Sequence, residues 1–198
     1  MHPLLLRVRR LLLASAIFVV SDPAAFADGL IDEVKVGVLA YDVGFVGPST
    51  NPGAAINGEV LFRSIQWFID RQNPRWLNDL LAPRPTIGTT INTAGDMDFY
   101  YAGLTWNADL FGDVFRPDDG IFADFGFGGA IQDGHVGSEI PGEISFGSRA
   151  LFHLSGELGY RFDPQISIAI YYEHFSNADL AEPNPGVNNI GLRFGYRF

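Results

Sequence analysis

Runs of about ten residues in which apolar and polar side chains alternate recur along this chain to its final residue, and that repetition restricts the fold more than any other feature. Successive side chains of a strand point to opposite faces, so each run is a strand with one greasy and one polar face. Val34, Val36, Val38 and Ala40 alternate with Lys35 and Gly37. A loop follows at 47–53, and a second strand at about 58–69 is apolar on both faces around Phe62, Trp67 and Phe68. In a third, Ile87, Thr89 and Ile91 oppose Gly88, Thr90 and Asn92. The clearest is a fourth, with Tyr100, Ala102, Leu104, Trp106, Ala108 and Leu110 against Gly103, Thr105, Asn107 and Asp109. A fifth sets Ile121, Ala123, Phe125 and Phe127 against Asp124, Gly126 and Gly128. A sixth, at about 143–160, sets Ile144, Phe146, Ala150, Phe152, Leu154 and Leu158 against Ser145, Arg149, His153, Ser155 and Glu157. Two more fill 166–176 and 188–198, which makes eight.

Residues 1–27 read as a cleaved export signal: Arg7, Arg9 and Arg10 precede the apolar run Leu11 to Val20, and Ala25-Phe26-Ala27 is a small-residue cleavage site. What remains, 28–198, has the size of one domain. The chain carries a formal charge of −10, which disfavours nucleic acid as a partner. With no cysteine, export does not serve a disulfide framework. Seventeen Phe, seven Tyr and 23 Gly in an exported chain lean toward a membrane barrel with aromatic girdles. Eight strands suffice to close the smallest such barrel, its interior filled by side chains, and a bilayer demands closure because it leaves no backbone group to water. The expected fold is therefore all-β, an eight-stranded antiparallel up-and-down transmembrane barrel of the bacterial outer membrane. Arg149, Arg193, Arg197 and Glu157 have inward parity and are expected to pair in the lumen. The stretch 70–84 has no functional reading, and the acidic run Asp113 to Asp119 reads as a solvated turn.

Parity also isolates a candidate site. Ile166, Ile168, Ile170, Tyr172, His174 and Ser176 share one face of the seventh strand, and Asn188, Ile190, Leu192, Phe194, Tyr196 and Phe198 one face of the eighth. Paired across 177–187, these strands gather His174, Ser176 and Asn188 on the apolar side, beside the loop. A base two residues from a hydroxyl can take its proton during attack on an ester carbonyl, although by itself the pair reads more readily as two polar rim residues. His153 and Glu173 have lumen parity instead. His135, in a glycine-rich loop, reads as solvated. No H-E-x-x-H, phosphate-binding glycine loop or G-x-S-x-G elbow occurs, and neither cofactor nor metal is implied.

The run His174-Phe175-Ser176-Asn177-Ala178, the loop Pro183-Asn184-Pro185-Gly186 and the closing Gly191-Leu192-Arg193-Phe194-Gly195-Tyr196-Arg197-Phe198 resemble the PagL-type lipid A 3-O-deacylases. The resemblance implies an outer-membrane esterase that removes the 3-linked acyl chain of lipid A in lipopolysaccharide, with its site at the outer-leaflet rim. His174 would be the base, Ser176 the nucleophile and Asn177 an oxyanion-hole donor, with Asn184 a polar member of the site loop. One departure stands out: Asn188 occupies the position of the family's triad acid. Three outcomes are open, namely weak activity, a substitute carboxylate such as Asp179 or Glu182, or a non-catalytic barrel. Pairing of two copies is also left open.

Overall fold

The computed structural model describes residues 29–44, 49–66, 69–137 and 142–198. The signal at 1–27, and with it Trp67 and Phe68 of the second expected strand, lies outside them. Eight long strands close on themselves: β1 (Ile31–Tyr41), β2 (Gly53–Phe62), β3 (Arg84–Asn92), β4 (Phe99–Gly112), β5 (Gly120–Gln132), β8 (Ala150–Arg161), β9 (Ile166–Ser176) and β10 (Val187–Arg197). Each pairs antiparallel with its neighbours in the barrel order β1-β10-β9-β8-β5-β4-β3-β2. Two short strands, β6 (His135–Val136) and β7 (Ser145–Phe146), pair within the β5–β8 connection, and a six-residue helix α1 (Arg75–Leu80) lies between β2 and β3.

Every barrel strand turns its apolar row outward. Val38, Ile56, Ile87, Phe125, Ile131, Leu158, Ile170 and Leu192 are all exposed, while Lys35, Glu59, Asp124, Glu157 and Arg193 are buried within. A soluble lipid carrier would show the opposite arrangement, whereas a charged interior with an apolar outer belt is what hydrocarbon selects. Inside, ionic groups meet as their parity required. Lys35 Nζ lies 2.5 Å from Asp124 and 2.8 Å from Glu157, and Arg193 bridges Glu157 and Glu59. Arg84 and Arg197 converge on Glu33 at 2.6 and 3.3 Å. Desolvated charges are tolerated only when so paired.

Three expectations are corrected. Arg149 does not join the lumen network; it is exposed ahead of β8 and donates to the Gln132 carbonyl at 3.3 Å. The sixth strand starts at Ala150 rather than near 143, so Ile144 and Phe146 belong to the connection and fold inward into an apolar cluster with Tyr41, Phe99 and Phe175. The connection packs on the loop after β9 at Gly147, where a Cβ would meet the backbone of Ala181 and Glu182 at 2.5 Å and the N–H donates to the Pro183 carbonyl at 2.6 Å. Alternation stops where one loop must touch another. Thirdly, the turn 113–119 is not simply solvated: buried Asp119 accepts the N–H groups of Val114, Phe115 and Arg116 and the Tyr160 hydroxyl. Desolvation alone would raise its carboxyl pKa, but the Tyr160 and backbone donors outweigh it and hold the group below the usual carboxylate range.

The second strand, expected at about 58–69 and ambiguous by pattern, instead runs over Gly53–Phe62 as β2, with Ala55, Asn57, Glu59 and Leu61 inward. The chain then leaves the barrel, and helix α1 packs on the flank of β4, where the Trp106 indole donates to the Leu80 carbonyl at 2.9 Å. That carbonyl is one of the groups a helix end leaves unpaired.

Candidate active site

The site is set by β9, its neighbour β10 and the loop 177–186 between them. The odd residues of β9 are its inner anchor. Phe175 is fully buried and stacks on Phe99 with ring centroids 4.0 Å apart. Glu173, also fully buried, accepts from Thr90, Tyr171 and Asn189. With the odd positions fixed in the lumen, the even ones face out, and His174 and Ser176 stand half-buried on the outer wall. Two residues along a strand advance about 6.6 Å.

Register supplies the partner of the imidazole. His174 lies directly opposite Asn188 across the β9–β10 ladder, and His174 Nδ1 is 2.8 Å from Asn188 Oδ1. The Tyr172 hydroxyl donates to the same oxygen at 2.6 Å. An amide oxygen can only accept, so Nδ1 carries the proton and Nε2 presents its lone pair, which is the tautomer a general base needs. Asn188 therefore holds the imidazole in that tautomer through a neutral acceptor, without the charge a carboxylate would bring. Asp179 and Glu182 do not take its place: Asp179 Oδ1 accepts from Asn184 Nδ2 at 2.8 Å, and Glu182 is exposed.

The two loop asparagines hold the loop itself. Asn184 Oδ1 accepts the Asn177 N–H at 2.9 Å. Asn177 Nδ2 donates to the Ala181 carbonyl at 2.5 Å and reaches Pro183 at 3.5 Å. The side-chain amide expected to serve an oxyanion is thus engaged with loop carbonyls, and Asn177 Oδ1 is buried without a donor. His153 lies in the lumen, 3.4 Å from Glu173 and stacked on Tyr101. His135 pairs at 2.8 Å with Glu143 on the surface. Tyr172 is the residue that sequence reasoning missed. Its parity already placed it on the face of His174, but only the register shows that both groups share one acceptor.

A family model described as Lipid A 3-O-deacylase (PagL) matches residues 65–197, a span that contains all of these groups. The chain belongs to the lipid A 3-O-deacylase (PagL) family. Among relatives of the PagL family, the lipid A deacylase PagL of Bordetella bronchiseptica is 33% identical over 87 residues, a match that spans 44% of this chain and 43% of that protein. The crystal structure of the outer membrane enzyme PagL superimposes with a TM-score of 0.58 at 20% identity, covering 84% of this chain and 99% of the other. The PagL fold is accordingly shared: a closed eight-stranded antiparallel barrel.

Proposed function

We propose that this protein is an outer-membrane esterase that hydrolyses the 3-linked acyl ester of lipid A, with His174 and Ser176 as its catalytic pair. The observation that carries the reading is the His174–Asn188 hydrogen bond on the lipid-facing wall, which leaves the Nε2 lone pair unprotonated on a residue that shares its strand face with Ser176. Ser176 Oγ attacks the ester carbonyl and gives its proton to His174 Nε2. The imidazolium then protonates the departing sugar oxygen as the tetrahedral intermediate collapses to an acyl-serine. Water, deprotonated by the same nitrogen, releases the fatty acid and restores the hydroxyl.

The reading places the barrel in a bacterial outer membrane. If both termini lie on the periplasmic side, β9 runs outward and carries the pair to the leaflet of lipopolysaccharide. With its proton on Nδ1, His174 has Nε2 available as a base. Asn177 and Asn184 act first by holding the loop 177–186 against Ser176, and an oxyanion role for Asn177 would require its Nδ2 to leave the weaker Pro183 contact.

Asn188 favours a second reading, a barrel of this family without turnover, because an amide leaves the imidazolium without a compensating charge. Mass spectrometry of lipid A from cells carrying the wild-type or the Ser176→Ala protein decides between them. The esterase reading predicts loss of one 3-hydroxyacyl chain only with wild type. Identical spectra would overturn it and leave the barrel-only reading.

A further inference from the structure

The ring of His174 is held in place on two sides. Asn188 lies opposite it across the β9–β10 ladder, and Gly186, at φ +68°, comes so near that a Cβ there would stand 3.1 Å from His174 Cε1. What the packing leaves open is which ring nitrogen carries the proton. A carboxylate opposite Nδ1 would settle the matter, since both of its oxygens only accept. An asparagine does not, because its amide can be turned over. With Oδ1 toward the ring, Nδ1 donates and Nε2 is left as the base. With Nδ2 toward the ring, Nδ1 must accept, so the proton sits on Nε2 and that nitrogen can no longer take one from Ser176. Against the imidazole alone, either orientation makes one hydrogen bond.

Tyr172 removes that equivalence. It lies opposite Ile190 and so diagonal to Asn188, a spacing that an aromatic side chain can bridge, and its hydroxyl donates to Asn188 Oδ1 at 2.6 Å. Around it, Ile168 and Ile170 on β9 and Leu192 and Phe194 on β10 are exposed members of the apolar outer belt. A hydroxyl on such a wall is costly unless it is hydrogen-bonded. Turning the amide would set Nδ2 against the phenol, which would then have to accept through an oxygen whose lone pair is delocalised into the ring. Its own hydrogen would be left pointing at hydrocarbon.

Resting on the esterase reading above, we propose that Tyr172 is a positioning residue: by donating to Asn188 Oδ1 it keeps the amide oxygen toward His174 and so sets the Nδ1–H tautomer that a base at Nε2 requires. Tyr172 acts through Asn188. It is needed because residue 188 is an amide, and it becomes redundant where that residue is a carboxylate, which has no donor to turn inward.

The test compares wild type with Tyr172→Phe, which keeps the ring and removes only the hydroxyl, in detergent micelles. Imidazole nitrogen-15 chemical shifts, recorded at alkaline pH and assigned to His174 by their loss in His174→Ala, report the tautomer directly. Wild type is expected to show a protonated Nδ1 and a bare Nε2, and Tyr172→Phe to carry a substantial share of the reverse form. An unchanged tautomer in Tyr172→Phe would overturn the proposal. Hydrolysis of p-nitrophenyl butyrate gives a second readout. With Asn188 in place, Tyr172→Phe should lower kcat about tenfold at unchanged KM, whereas in an Asn188→Asp background it should cost no more than about twofold, a coupling that a merely structural role would not produce. Equal losses in the two backgrounds would sink the idea. No hydrolysis by any of these proteins would instead count against the esterase reading, and the tautomer measurement would still decide the role of Tyr172.

Discussion

At the scale of single residues, the account turns on one atom, Asn188 Oδ1, which receives both the His174 Nδ1–H and the Tyr172 hydroxyl. The position is already shaped for a carboxylate, which accepts where an amide oxygen accepts and adds a charge opposite the imidazolium. Asn188→Asp is therefore expected to raise kcat by about 10²-fold or more, approaching the ~10⁴ that an acid-to-amide change removes in a serine protease. KM should be unchanged, because no substrate contact is altered. Steady-state kinetics on a soluble ester checks this, and an unchanged kcat would mean that the imidazole is held otherwise. Much of this site was legible beforehand: strand parity put His174 and Ser176 on one outward face and Glu173 in the lumen. The role of Asn177 was not, because hydrogen bonding inside a loop depends on how 177–186 folds back on itself, and no periodicity reports that.

Elements that the alternation describes badly are those in which one loop supports another. The stretch 143–149 has the parity of a strand, yet Gly147 has to sit against the backbone of Ala181 and Glu182, so it becomes a brace for the site loop. Gly147→Ala should therefore push 177–186 away from Ser176 and lower esterase activity about tenfold or more, since misplacement by an ångström can cost 10²-fold. The melting temperature, followed by circular dichroism, should move little because the ladder β8–β9–β10 is untouched. A large fall in melting temperature would show that the loop carries the barrel's stability instead. The connection 63–83 was equally hard to foresee. Its helix forms against β4 through the Trp106–Leu80 hydrogen bond, a contact between distant positions in the sequence.

For the molecule as a whole, the lipid-facing belt and the ionic core are two consequences of one alternating pattern. The expectation that inward charges meet held for Arg193, Arg197 and Glu157, and it failed for Arg149, which lies ahead of the strand that was to carry it inward. Lys35 is the centre of the core, 1% exposed between Asp124 and Glu157. Lys35→Met would leave two buried carboxylates short of a cation and should cost about 3–5 kcal/mol of stability, read from urea unfolding in micelles. A loss below about 1 kcal/mol would mean that the remaining arginines neutralise the core by themselves. None of this bears on catalysis unless the wall of the barrel, rather than its lumen, holds a reactive serine. An alkyl phosphonofluoridate tests that directly. Peptide mass mapping after a brief exposure in micelles should place a single adduct on Ser176, strongly diminished in the His174→Ala protein. An unlabelled Ser176, or labelling that is indifferent to His174, would contradict the account.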